Sequence, residues 1–198
     1  AVSGSQLVSV CFQNVQDCPL TFNALKTAIA NAPTDGTLLS LPVFSYPWTS
    51  EIVIPANTNI HLIGPAKATT SSPNRFLGGT VGTLKVSDIS FNGGEALTGG
   101  AISISSGTTT IENCEFKGNS ATSTTQGGGA LSLTSNAVVN ITQSTILENV
   151  AASGFANDIF LYPGFNGFLT IDDSFTQSRS PACSNAARSL CTRTCFSR

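Results

Sequence analysis

Gly99-Gly100-Ala101-Ile102 returns 29 residues later as Gly128-Gly129-Ala130-Leu131, and that recurrence decides the fold. Gly78-Gly79-Thr80-Val81 stands 21 residues before the first copy, and a degraded Ala156-Asn157-Asp158-Ile159 stands 28 residues after the second. A second half-motif follows each time: Val86–Phe91, Ile111–Phe116, Ile141–Ile146 and, one residue shorter, Ile171–Phe175. Three residues beyond the Phe or Ile come Gly94, Asn119 and Asn149. A repeat of this length is one supersecondary unit that cannot bury its own apolar face, so stacked copies must supply the core.

Within each copy the apolar residues alternate. Ile102 and Ile104 are separated by Ser103, and Leu131 and Leu133 by Ser132. A period of two puts one set inward and the other outward on a strand. Stacking then predicts inward columns: Val81/Ile102/Leu131/Ile159, Val86/Ile111/Ile141 and Phe91/Phe116/Ile146. The Gly pairs fit tight corners. Asn119 and Asn149 fall at another corner, where their amides can satisfy backbone groups that the ladder leaves free. Asp88/Asn113/Gln143 form a second polar column, read as turn satisfaction ahead of a ligand-binding row. Cys114 shares a column with Ile89 and Ser144 and reads as a small buried hydrophobe, with a disulfide to the tail as the other reading.

The flanks differ from the centre. Leu20, Ala24, Leu25, Ala28 and Ile29 recur at helical spacing, with Thr21 as an N-cap and Asn31–Gly36 as the stop. Thr37–Val43, Glu51–Ile54 and Asn59–Ile63 follow, punctuated by Pro42, Pro47, Pro55 and Pro65 and so expected to be short strands at most. A helix before a row of short strands suits the cap of a solenoid, whose open end exposes apolar core and unpaired edges. The expectation is one all-β domain over 1–198: an N-terminal helix and cap strands over 1–65, repeat coils over 66–178 and a Cys-rich tail over 179–198.

The paired half-motifs resemble the repeat of chlamydial polymorphic outer-membrane proteins. The resemblance is carried by Gly99-Gly100-Ala101-Ile102, Gly128-Gly129-Ala130-Leu131, Phe116-Lys117-Gly118-Asn119 and the variant Ile146-Leu147-Glu148-Asn149, and covers roughly residues 78–162. It implies a right-handed parallel β-helix of the pectin-lyase-like type, surface-exposed and often adhesive. Thr21–Gly64 also looks like the capped start of pectin-lyase-like chains. Phe91-Asn92-Gly93-Gly94 lacks the terminal Asn, the fourth copy lacks the Gly pair, and the tail after Ser180 does not match, so outer-membrane transport does not carry over.

Composition narrows the function classes. Of 198 residues only 10% are charged, against ~25% in ordinary domains, and the net charge is −2. A helical bundle and a nucleic-acid-binding face are both disfavoured. No run approaches the ~20 apolar residues of a membrane span. The start at Ala1-Val2-Ser3-Gly4 reads as a mature N-terminus. Cys11, Cys18, Cys183, Cys191 and Cys195 read as disulfide staples of the two ends, ahead of a zinc site, and so indicate an oxidising compartment: secreted or on a cell surface. The sequon Asn140-Ile141-Thr142 is a glycosylation candidate there, equally readable as an unmodified strand.

Catalytic sets are sparse. Asp172-Asp173 is the one adjacent acidic pair, and Glu112, Glu115 and Lys117 read as a solvated strand edge. His61 is the lone histidine, without a Gly-x-Ser-x-Gly elbow elsewhere in the chain. No catalytic residue, metal or cofactor is expected. Phe155, Phe160, Tyr162, Phe165 and Phe168 cluster before the tail, either as core or as an exposed interaction patch. The leading expectation is a non-enzymatic adhesive, structural or assembly module acting through its outer faces on protein subunits or a surface glycan, as a homo-oligomer or filament in one version. A polysaccharide lyase or hydrolase is the enzyme alternative. An ice-binding solenoid is a third, disfavoured because Thr108-Thr109-Thr110 is not repeated in the aligned Asn136–Val139 stretch.

Overall fold

The computed structural model describes residues 21–41, 45–70, 73–152, 156–176 and 191–194. One helix, α1 (Phe22–Ala30), precedes the strands; the Thr21 hydroxyl accepts from the Ala24 N–H, and Phe22, Leu25 and Ile29 face the core. The strands are β1 (Thr37–Ser40), β2 (Ser45–Trp48), β3 (Ile52–Ile54), β4 (Asn59–Thr70), β5 (Leu77–Asn92), β6 (Glu95–Ala96), β7 (Ile102–Glu112), β8 (Glu115–Lys117), β9 (Ser120–Ala121), β10 (Leu131–Leu133), β11 (Ala137–Thr142), β12 (Thr145–Leu147), β13 (Val150–Ala151), β14 (Ile159–Leu161), β15 (Phe168–Asp172), β16 (Phe175–Thr176) and β17 (Cys191–Thr194).

All the strand pairs are parallel and link successive coils, giving a β-solenoid of about five turns. Face one stacks β1, the first half of β4, the middle of β5, the end of β7, then β11, β15 and β17. Face two stacks β2, the end of β4, the end of β5, β8, β12 and β16. Face three stacks β3, the starts of β5 and β7, β10 and β14. Strands β6, β9 and β13 form a separate narrow ladder. Because β4, β5 and β7 run round corners without breaking, the three faces form one 14-stranded hydrogen-bonded sheet.

The core is a set of columns. Leu39, Leu62, Val86, Ile111, Ile141 and Ile171 stack on face one, extending the expected Val86/Ile111/Ile141 column in both directions. Ala68, Phe91, Phe116 and Ile146 stack on face two. Between faces two and three the rings of Phe22, Trp48, Phe76, Phe91 and Phe116 follow one another at centroid spacings of 5.5, 5.5, 5.4 and 5.3 Å. Trp48 completes its polar need by donating Nε1–H to the Phe76 carbonyl at 3.0 Å.

Several expectations need correction. On face three Leu77, not Val81, pairs with Ile102, so the column is Ile52/Leu77/Ile102/Leu131/Ile159. The Gly78-Gly79 pair therefore lies inside a strand opposite Ser103 and Ile104, not at the corner of Gly99-Gly100. The early strands are not all short: β4 runs for 12 residues, because a register shift between Ile63 and Ala66 carries the ladder past Gly64-Pro65. Strand β2 passes through Pro47 and pairs Ser45–Trp48 with Lys67–Thr70. The fourth half-motif keeps the full spacing, since Thr176 rather than Phe175 pairs with Ile146. Parallel pairing already begins at Thr37, inside the stretch assigned to the cap, and Cys191–Thr194 joins face one beside β15.

Candidate functional site

Two kinds of corner set the outer surface. At the first, between faces one and two, Asp88, Asn113, Gln143 and Asp173 all take positive φ, from 44° to 59°. Short polar side chains tolerate the left-handed region better than branched ones do, and the turn points them outward. The Asn113 amide donates to the Asp88 carboxylate, and the Asn113 and Gln143 N–H groups donate to the Thr142 and Asp172 carbonyls in the next coil. One residue further inward Cys114, Ser144 and Ser174 form a buried ladder. The Cys114 N–H donates to Ser144 Oγ at 3.1 Å and the Ser144 N–H to Ser174 Oγ at 3.0 Å. Cys114 is a free, buried thiol whose pKa desolvation pushes up to about 12, so it acts as the small core residue expected and not as a nucleophile.

The second corner holds Asn119 and Asn149, both buried. Asn119 Oδ1 accepts from the Gly94 N–H at 2.9 Å, and its amide donates to the Phe91 carbonyl at 3.1 Å. Asn149 repeats this one coil on, accepting from the Asn119 N–H and donating to the Phe116 carbonyl and to Asp158. Beside it the two glycines of each pair differ in backbone conformation, and both stand in tight packing. Gly99 and Gly128 take positive φ, while Gly100 and Gly129 let neighbouring backbones close in: a Cβ on Gly129 would sit 2.5 Å from the Asn157 carbonyl oxygen and 2.7 Å from the Val150 nitrogen. Gly99, Gly100, Phe116, Asn119, Gly128, Gly129 and Asn149 are thus structural positions that the repeat brings together.

An open groove of about 620 Å³ runs along face one beside the first corner, lined by His61, Lys85, Ser87, Asp88, Glu112 and Asp173, among others. The register explains the gathering. His61, Lys85, Thr110, Asn140 and Thr170 occupy one outward column, each one residue before an inward member of the Leu62/Val86/Ile111/Ile141/Ile171 column. His61 and Leu62 pair with Lys85 and Val86 in the part of β4 that precedes the register shift, ahead of the first copy of the repeat. Across the ridge, a second open groove exposes Lys67, Ser90 and Glu115 on face two, where Ser90 Oγ donates to Glu115.

The groove's chemistry is constrained. Lys85 and Glu112 pair at 3.0 Å, and Lys117 and Glu148 at 3.4 Å; such exposed pairs contribute about 0–1 kcal/mol each. His61 Nε2 lies 3.0 Å from Ser87 Oγ, a serine–histidine contact that the sequence did not reveal. Ser87 is only 5% exposed, so little of it opens onto the groove that it lines. Burial, then the charge of Lys85, holds the His61 pKa below its usual value. Asp172 and Asp173 are both exposed, at the strand end and in the turn, with the Asp173 N–H donating to Asp172 Oδ1. Among the described residues no group of three His, Cys, Asp or Glu side chains could hold a metal ion.

The aromatic cluster does not form one exposed patch. Phe160 and Phe165 are buried, and Tyr162 is half-buried, packed edge-on to Phe160 at 5.1 Å and bonded through its hydroxyl to Gln126 and Thr98. Among the described members of the cluster Phe168 alone projects, 53% exposed. Phe155 lies outside the described residues, as do Cys11, Cys18, Cys183 and Cys195 and the side chain of Cys191. No described helix is long and apolar enough to cross a membrane.

No family model matches the chain, and no curated protein and no solved structure matches it.

Proposed function

We propose that the chain is a non-enzymatic module of the extracellular space or a cell surface, acting through the outer faces of its solenoid on a surface glycan or on protein subunits. The observation that carries this reading is the outward column His61/Lys85/Thr110/Asn140/Thr170: a rigid row of short or polar side chains, one per coil, beside an open groove. Strand stacking spaces such a row at about 4.8 Å, and the fixed backbone removes much of the ordering cost of recognition. The sequence resemblance to the outer-membrane-protein repeat points the same way, as does the cysteine content of the ends.

Spacing weighs against Asp88 and Asp173 as a cleaving pair. Asp88 and Asp173 belong to one corner column but are three coils apart, about 14 Å by strand spacing, whereas paired glycosidase carboxylates stand roughly 5–9.5 Å apart. The second reading, a polysaccharide lyase or hydrolase, draws its support from His61, Lys85, Asp88 and Glu112 meeting at one groove. A glycan-array screen run beside light scattering on the full chain separates the readings. Glycan binding or self-association without turnover supports the first; released unsaturated sugar or new reducing ends selects the second. A strictly monomeric species that binds neither glycan nor partner overturns the first.

A further inference from the structure

The sequon Asn140-Ile141-Thr142 is the chain's one Asn-x-Ser/Thr triplet, and the structure shows where it stands. It lies in β11 on face one with Ile141 inward and both Asn140 and Thr142 outward. Thr110 and Thr170 flank Asn140 in the neighbouring coils, so no large side chain crowds it. Two residues earlier on the same face stands Val138, and pairing with Val138 in the next coil is Phe168. Phe168 is one of four large hydrophobics exposed among the described residues.

We propose that Asn140 carries an N-linked glycan whose first sugar lies over Val138 and Phe168. The proposal rests on the extracellular reading above. A strand spacing of roughly 4.8 Å and a two-residue offset of roughly 6.6 Å place the Phe168 backbone about 8 Å from that of Asn140, within reach of a sugar ring on the amide. An apolar sugar face against an exposed ring removes area that otherwise meets water. In the transfer, Asn140 Nδ2 attacks the anomeric carbon of a lipid-pyrophosphate-linked oligosaccharide. The new N–C bond replaces the C–O bond to pyrophosphate, the pyrophosphate lipid leaves with the electron pair, and one amide proton goes to solvent; nothing is oxidised or reduced. The step takes place on the extended chain, before β11 is enclosed between β7 and β15, and the open outer face leaves room for the product.

The test is expression of the full chain behind a secretion leader in a eukaryotic host, with peptide mass mapping before and after peptide N-glycosidase. Expected is one glycan, at Asn140, lost in both Asn140→Gln and Thr142→Ala and retained in Thr142→Ser. Enzymatic removal of the glycan from the folded protein should lower Tm by about 2–4 °C, and by less in Phe168→Ala. A secreted, folded chain bare at Asn140 overturns the proposal and leaves the extracellular reading standing; a chain that is not secreted overturns both. A glycan whose removal leaves Tm unchanged overturns the packing over Phe168.

Discussion

Asn119 and Asn149 lie one above the other in adjacent coils, and Asn149 Oδ1 accepts from both the backbone N–H and the side-chain amide of Asn119, at 3.0 and 2.9 Å. Asn149 in turn donates to the Phe116 carbonyl and to Asp158 Oδ1, each at 3.1 Å. Truncation to Asn149→Ala would remove four hydrogen bonds from a buried corner. At a net ~1 kcal/mol per bond, with the desolvation penalty on the orphaned partners, the expected loss is about 3–5 kcal/mol. The exposed Asn136→Ala serves as the control and should cost under about 0.5 kcal/mol. Urea midpoints measure both; a loss below ~1 kcal/mol for Asn149→Ala would show that the ladder is not what closes this corner.

Gly129 and Gly118 look alike in sequence and differ in space. A Cβ on Gly129 meets three backbone atoms at 2.5–2.7 Å, two of them in Val150 of the β13 ladder and the third the Asn157 carbonyl oxygen that accepts from Gly129 N–H, whereas a Cβ on Gly118 meets nothing within 4 Å. Gly118 carries only the strain of its φ of 63°. Gly118→Ala should therefore cost about 1 kcal/mol, and Gly129→Ala several times more or prevent folding. Circular dichroism and denaturant titration of the two variants side by side decide this; equal costs would mean that close approach does not explain the second glycine of the pair.

The repeat was legible where side-chain period and corner chemistry agree. Val86, Ile111 and Ile141 each precede an outward turn residue by two positions, so their column could be read from the letters, and Asn119 above Asn149 followed. Face three misled because its corners are chemically unlike. The residues that precede Leu77 as Gly99-Gly100-Ala101 precede Ile102 are Asn74, Arg75 and Phe76. Arg75 reaches the Thr98 carbonyl and Glu51, and Phe76 fills the aromatic stack. Sequence comparison slid instead to the nearby Gly78-Gly79, whose glycines answer a different need, the close approach of Glu51 and the Ile54 backbone. The groove was illegible for a different reason: His61 stands before the first copy of the repeat, so no recurring motif marks the register that pairs it with Lys85.

Thr109 occupies an inward position between Leu84 and Val139, fully buried, and its hydroxyl has no hydrogen-bond partner. A hydroxyl desolvated without compensation costs about 1–3 kcal/mol by mutational measures. Valine replaces the hydroxyl by a methyl of similar volume and keeps the β-branch that a strand favours. Thr109→Val should thus raise stability by about 1 kcal/mol, a rise in Tm of about 2–4 °C for a chain of this size. Thr110→Val, one residue along on the outer face, should leave Tm nearly unchanged. Destabilisation by Thr109→Val would mean that the hydroxyl has a partner after all.

His61 gives the fold a pH dependence whose sign follows from its surroundings. Burial and then the charge of Lys85 lower its pKa, outweighing the opposite pull of Glu112 and Asp88. The neutral ring is thus favoured in the folded state, held against Ser87 Oγ. Above the unfolded value of 6.5 both states are neutral and the group contributes nothing to the pH slope. As pH falls below 6.5 the unfolded chain takes up a proton more readily, so stability declines until pH passes the folded pKa, where the decline levels off. The half-exposed position keeps this effect small. In His61→Asn this component of the slope should vanish, and in Lys85→Gln the His61 titration should move back toward 6.5 because the second-largest cause is gone. Ring-proton NMR titration reads the midpoint directly, and a midpoint above 6.5 in the native protein would reverse the sign assigned here to the groove's electrostatics.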